Sequence, residues 1–223
     1  MGDLSPRLGI ICGMESERRA LGAWADDPRV IVGICGARPA RAEAEARRLA
    51  EAGCRALLSW GLAGGLDPDL KPGAVMTASS VICSDADPLP LTPVPGVGDP
   101  GPCFGAETVI ETPAHKADLH RRLGAAFADM ETHRVATVAA VHGIPAYVLR
   151  AVADPAERAL PTLAAGALDE TGRPRIGAVL AGLARQPWDL PLLLRVKRDA
   201  DEGLDALSAV GRDLSRYFPE LAG

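Results

Sequence analysis

Two carboxylates have the type and placement for chemistry. Glu131 closes the run Phe127-Ala128-Asp129-Met130-Glu131, and Asp154 closes Val148-Leu149-Arg150-Ala151-Val152-Ala153-Asp154. Each follows a short apolar run of strand length. The end of a strand is where an α/β protein holds a side chain rigidly and still shows it to a ligand. Two acidic groups with separate duties, one ionised and one protonated, suit cleavage of a glycosidic bond. Between them Gly143-Ile144-Pro145 stops one helix and launches the next strand, which predicts equivalent ends of neighbouring elements for the two groups. Taken singly each has a plainer reading: Glu131 as a helix N-terminal glutamate favoured by the dipole, Asp154 as a turn residue before Pro155.

The elements that must position them alternate along the chain. Apolar runs at 8–12, 30–35, 56–60, 74–83, 107–111, 126–130 and 145–150 read as strands. Charged, helix-periodic stretches at 15–23, 38–53, 114–125 and 132–142 read as helices between them, with Pro39 in a first turn and Gly53 as a stop. Residues 61–68, Gly61-Leu62-Ala63-Gly64-Gly65-Leu66-Asp67-Pro68, read as a turn poor in side chains, where backbone amides approach a ligand closely or simply connect two elements. Residues 84–106 hold six prolines among several glycines and read as one long loop, a flap over the site or a surface insert. Beyond residue 165 the chain reads as helical, with segments at 176–184 and 190–214. Strand–helix alternation predicts a three-layer αβα domain around a mixed sheet, one domain over 1–223 with a helical C-terminal extension from about 166.

Composition narrows the class. Apolar residues make up 48% and charged residues 24%, the balance of a globular protein, and the net charge of -5 gives no reason to expect nucleic acid as a partner. No cleavable apolar leader follows Met1 and no apolar run is long enough to span a bilayer, so the expectation is a cytoplasmic enzyme. Cys12, Cys35, Cys54, Cys83 and Cys103 form an odd set without a Cys-x-x-Cys pair, and His115, His120, His133 and His142 form no metal motif. Reduced thiols, no metal and no cofactor are expected.

Four stretches in order, Gly9-Ile10-Ile11-Cys12-Gly13-Met14-Glu15-Ser16-Glu17, Gly61 to Gly73, Asp129-Met130-Glu131 and Arg150 to Asp154, resemble the nucleoside phosphorylase and methylthioadenosine/S-adenosylhomocysteine nucleosidase superfamily. Asp154-Pro155-Ala156-Glu157-Arg158-Ala159-Leu160-Pro161, Ile176-Gly177-Ala178-Val179-Leu180 and Pro187 to Leu194 look most like its hopanoid-associated phosphorylase branch, which is thought to remove adenine from adenosylhopane.

The resemblance implies a role for each matching residue. Glu131 binds the ribose 2′ and 3′ hydroxyls, with Met130 and Met14 as apolar contacts on the sugar. An ionised carboxylate there accepts two hydroxyl hydrogen bonds and favours positive charge growing on the ring. Asp154 bonds N7 of the purine and assists departure of the base, with Ala63 and Gly64 beside it. Glu17 falls where nucleosidases hold the attacking water. Phosphorolysis, with phosphate as co-substrate, instead requires cations to offset Glu17, and Arg38 at the mouth of a helix, beside Gly13, is the first candidate ahead of Arg18 and Arg41. Leu62 and Ala153 replace serines common in the family, which makes both pockets less polar. A hydrophobic 5′ substituent requires an apolar channel, for which the proline-rich loop and Trp188 to Leu194 are the available material. The latter stretch reads equally as core, dimer contact or, with Arg195, Lys197 and Arg198, a membrane-resting surface. The resemblance also implies a homodimer or an assembly of dimers. The reading adopted is phosphorolysis of an adenosine with a hydrophobic 5′ group such as adenosylhopane, in hopanoid biosynthesis; the alternatives are hydrolysis of methylthioadenosine or S-adenosylhomocysteine and non-catalytic nucleoside binding.

Overall fold

A computed structural model describes residues 8–83, 86–98, 101–160 and 186–218. Leu8–Cys12 forms β1, buried at all five positions because β2 (Val30–Ile34) and β3 (Ala56–Gly65) flank it in parallel and helices cover both faces. Alternation along the strands splits the core into two. Ile11, Leu57 and Val148 face one side, where α2 (Pro39–Glu51) and α4 (Thr132–His142) pack through Ala42, Ala46, Leu49, Val135 and Ala139. Ile10, Leu58 and Leu149 face the other, where α1 (Glu15–Ala20) and α5 (Leu190–Gly211) bring Ala20, Leu207 and Val210. The result is a three-layer αβα arrangement. The short α6 (Leu214–Tyr217) closes the second face with Leu214 and Phe218.

The sheet is mixed, in the order β2-β1-β3-β8-β7-β5-β6, where β5 is Ser80–Cys83, β6 Ala86–Pro90, β7 Pro102–Gly105 and β8 Phe127–Asp129. On the other edge of β3 lies β9 (Ala146–Asp154), parallel to it from Leu57 beside Ala146 to Gly64 beside Asp154, and β9 in turn pairs the two-residue β4 (Val75–Met76). The remaining helix, α3 (Pro113–Leu123), has Thr112 as its N-cap, Pro113 in the first turn and Gly124 in the left-handed C-cap position.

Several segments differ from their sequence readings. The glycine stretch at 61–68 is not a turn: β3 continues through Gly65 because β9 and β8 bond it on both edges, and pairing overrides the weak strand propensity of glycine. The strand expected at 74–83 is two, β4 and β5. The expected loop at 84–106 contains β6 and β7. Proline is tolerated there because β6 is the sheet edge and Pro102 is the first residue of β7. The strand expected at 107–111 is irregular chain, and its Thr108, Val109 and Ile110 line a cavity. The helix expected at 15–23 ends at Ala20 and gives way to a 3-10 turn, Gly22–Asp26, and the strand expected at 145–150 runs on to Asp154. The helix expected at 176–184 lies outside the described residues.

Candidate active site

The site forms in a gap along one edge of β3. β1 runs parallel to β3 and ends with Cys12 beside Trp60, whereas β8 runs antiparallel and begins with Phe127 beside Gly65. The two strands approach each other head-on, so residues 61–63 between them need other partners on that edge. Side chains supply them: the Leu62 N–H donates to Glu17 Oε1 at 2.8 Å, and the Leu62 carbonyl accepts from Arg150 Nη1 at 3.3 Å. This opposed geometry corrects the expectation that Glu131 and Asp154 sit at equivalent strand ends. β8 carries Glu131 back along β3 toward Arg150, which stands beside Gly61, while Asp154 stands beside Gly64.

Glu17 is the third residue of α1, and its Oε2 reaches back to accept the N–H of Met14 at 2.9 Å, one half of a capping box. Trp60 Nε1 donates to the Glu17 carbonyl, fixing the helix start on β3. Glu131 is aimed by Asp129, whose Oδ1 accepts the N–H groups of Glu131 and Thr132 at 2.8 and 2.7 Å and so turns the chain from β8 into α4. Arg150 Nη2 then joins the site together, donating to Ser59 Oγ at 2.6 Å and Glu131 Oε2 at 2.9 Å, with Asp129 Oδ1 at 3.3 Å.

One guanidinium thus faces three buried carboxyl groups. Burial pushes the Glu17 carboxyl above the ordinary range, opposed by Arg150 and by N–H bonds from Leu62, Met14 and Gly13. Glu131 is pushed up to about 7, by burial first and then by Asp129 and Glu17, against Arg150. Burial disfavours the charge on Arg150, yet Asp129, Glu131 and Glu17 outweigh it and push its pKa upward. Asp154 is raised by burial and, to a lesser degree, by Asp199, with Lys116 pulling the other way. Burial is thus the first cause of the upward shift at Glu17, Glu131 and Asp154, and each is opposed by a buried cation.

A cavity of about 280 Å³ opens over this gap. Its lining includes Gly13, Met14, Glu17, Ala63, Gly64, Met130, Glu131 and Asp154, so eight of the nine residues singled out from the sequence converge. Arg38 does not join them: it is an exposed N-cap of α2, while its neighbour Ala37 reaches the wall. Leu62, Val109, Ile110, Leu160 and Val196 make one side apolar. Of the described material expected to line an apolar channel, Trp188, Leu190 and Leu194 are exposed, and among the described residues of 84–106 only Ala106 reaches the cavity. Among the described residues no cluster of His, Cys, Asp and Glu fits a metal ion, and no helix is long and apolar enough to cross a membrane.

Two cations escaped the sequence reading of the site, Arg150 and Lys116, each 1% exposed. A signal for Arg150 existed, since a charge inside the apolar run 148–153 has to meet buried partners. Lys116, in a helix rich in charges, gave none.

The sequence profile of the Phosphorylase superfamily matches residues 20–97 and 97–185. Among solved structures, the 5′-methylthioadenosine/S-adenosyl homocysteine nucleosidase of Helicobacter pylori superposes with a TM-score of 0.65 at 16% identity, over 92% of this chain and 97% of that one. Futalosine hydrolase of the same organism gives 0.65 at 16%, over 94% and 99%. The S-adenosylhomocysteine nucleosidase of Streptococcus pyogenes gives 0.60 at 17%, over 94% and 98%. Such identities establish a shared fold. No curated protein matches the sequence. With the family profile covering well over half of its length, the chain belongs to the phosphorylase superfamily, enzymes that act on N-glycosidic bonds.

Proposed function

We propose that this protein hydrolyses the N-ribosidic bond of an adenosine carrying an apolar 5′ substituent and releases adenine. The observation that carries the reading is the convergence of Glu17, Glu131 and Asp154 on one cavity, with Glu17 already anchored by backbone N–H groups. A carboxylate has about four acceptor sites, so Glu17 keeps capacity to hold a water and take its proton. Glu131, steadied by Arg150, accepts the ribose hydroxyls and favours the positive charge that builds on the sugar. Asp154 hands a proton to the departing base. Structurally similar proteins named for methylthioadenosine, S-adenosylhomocysteine and futalosine are consistent with this reaction class.

Water is favoured over phosphate by charge. An anion in the gap meets Glu17, Glu131 and Asp129, while Arg150 is already shared among acceptors and Arg38 stands outside the lining. Within the branch resemblance, adenosylhopane fits the apolar wall of Leu62, Val109, Ile110, Leu160 and Val196, although a cavity of about 280 Å³ holds little beyond the nucleoside and leaves a bulky 5′ group at its mouth. Action in the cytoplasm as a homodimer or larger assembly completes the proposal, and sedimentation checks the assembly. The reaction is tested by incubating the purified protein with 5′-methylthioadenosine and with longer 5′-alkyl adenosines, with and without phosphate. Adenine and the free sugar should appear at a phosphate-independent rate; a sugar 1-phosphate would overturn the hydrolytic reading.

A further inference from the structure

Lys116 projects from the buried side of α3, one turn before Leu119, and its ammonium group is surrounded by acceptors. Nζ lies 2.5 Å from Asp154 Oδ2 and 3.3, 3.1 and 3.2 Å from the carbonyls of Asp154, Pro155 and Arg158, four acceptors for its three N–H donors. It is 1% exposed and borders the cavity beside Asp154. Among the described residues, the other charge that acts on Asp154 is Asp199 of α5, and Asp199 is bound by Arg158 at 2.8 Å. Lys116 is therefore the cation committed to Asp154.

We propose that Lys116 is a positioning residue for departure of the base: it occupies one oxygen of Asp154, turns the other toward the base, and stabilises the carboxylate left when the proton has gone. The inference rests on the reading that Asp154 faces the base. As the C1′–N9 bond breaks, its electron pair moves onto the base and the Asp154 proton passes to a base nitrogen, so the base leaves uncharged. The water that bonds to C1′ loses its proton to Glu17, which passes it to solvent while solvent returns one to Asp154. Lys116 stays protonated throughout. In so closed a site a carboxyl without a cation is a weak acid, because giving up its proton leaves an uncompensated buried charge. Lys116 removes that obstacle.

The test separates this role from a purely structural one through the leaving group. A p-nitrophenyl riboside departs without a proton, whereas adenine needs one. Lys116→Met should lower kcat on the adenosine substrate by about 10²-fold or more with KM changed only a few-fold, and should lower cleavage of the p-nitrophenyl riboside by less than about tenfold. Its basic limb in the kcat–pH profile should move upward, since the carboxyl then holds its proton to higher pH. Lys116→Gln, which keeps a donor for the carbonyls without the charge, should behave alike if the methionine variant folds poorly, and Lys116→Arg should recover part of the rate. Equal losses on both substrates with an unmoved limb, or undiminished adenine release, would overturn the proposal. Adenine release by the unaltered protein tests the underlying reaction, and the dependence of the variants on leaving group tests the lysine.

Discussion

In the proposed reaction Glu17 decides between water and phosphate, and its setting makes a sharp expectation. Both oxygens accept from backbone N–H groups, so Glu17→Gln keeps the volume but turns an amide nitrogen toward one of those donors, and it removes the base that takes the proton from water. Turnover should fall by about 10²- to 10⁴-fold, with adenine affinity by calorimetry within a few-fold of the original. Turnover left intact would remove Glu17 from the chemistry. Glu131 sets the pH response. As the sugar clamp it must be ionised, and its carboxyl is held up to about 7. The sign follows: kcat/KM should rise with pH through about 7 as Glu131 loses its proton, and loss of the proton that Asp154 must donate acts in the opposite sense. A profile flat between about pH 5 and 8 would mean that Glu131 is ionised throughout or is not required. Glu131 and Asp154 were legible in the sequence because they end apolar runs, and Glu17 only through the family resemblance. Lys116 was not, because nothing in the spacing of residues 116 and 154 announces that a helix lysine and a strand-end aspartate meet.

The second half of β3 organises the gap, and small residues there leave room for larger ones. A Cβ built on Gly61 would lie 2.5 Å from Glu17 Oε1 and 2.6 Å from Arg150 Nη1, so Gly61→Ala must displace the carboxylate or the guanidinium. Such overpacking costs typically about 1–3 kcal/mol, and an ångström of misplacement at a reacting group costs on the order of 10²-fold in rate. The variant should melt lower and lose turnover together; wild-type kinetics would show that the gap is more pliant than its contacts imply. The same glycines explain why the sequence misleads at this point. A run of Gly and Ala has neither alternation nor β-branched side chains, and its strand state comes entirely from β9 on one edge and β8 on the other. Likewise the prolines of 84–106 mask β6 and β7, which stand where sheets tolerate proline, at an edge and at a strand start. The alternation of β1, β2 and the first half of β3 with α1 and α2 was legible because parallel strands buried on both faces are continuous apolar runs.

The C-terminal helices bind the layers to the site. The periodicity of 190–214 made a helix legible, but not its place, because its apolar residues serve two ends: Leu190 and Leu194 are exposed, whereas Leu207 and Val210 are buried against the sheet with Leu214 and Phe218. Close packing of α5 depends on absent side chains. A Cβ on Gly211 would lie within van der Waals distance of the Ala20 carbonyl, and one on Gly203 would meet Leu62 at 2.8 Å, linking α5 to α1 and to the residue whose N–H holds Glu17. Val196 and Ala200 of the same helix line the cavity. Burying an aliphatic or aromatic side chain stabilises by about 1.5–3 kcal/mol, so four of them approach the entire stability of a typical domain, about 5–15 kcal/mol. A chain ending at residue 186 should therefore lack a cooperative thermal transition and near-ultraviolet dichroism, and should bind no adenine. If it instead unfolds cooperatively, the helices are an appendage to an independently stable sheet. Loss of adenine binding alone would then localise their contribution to the cavity wall.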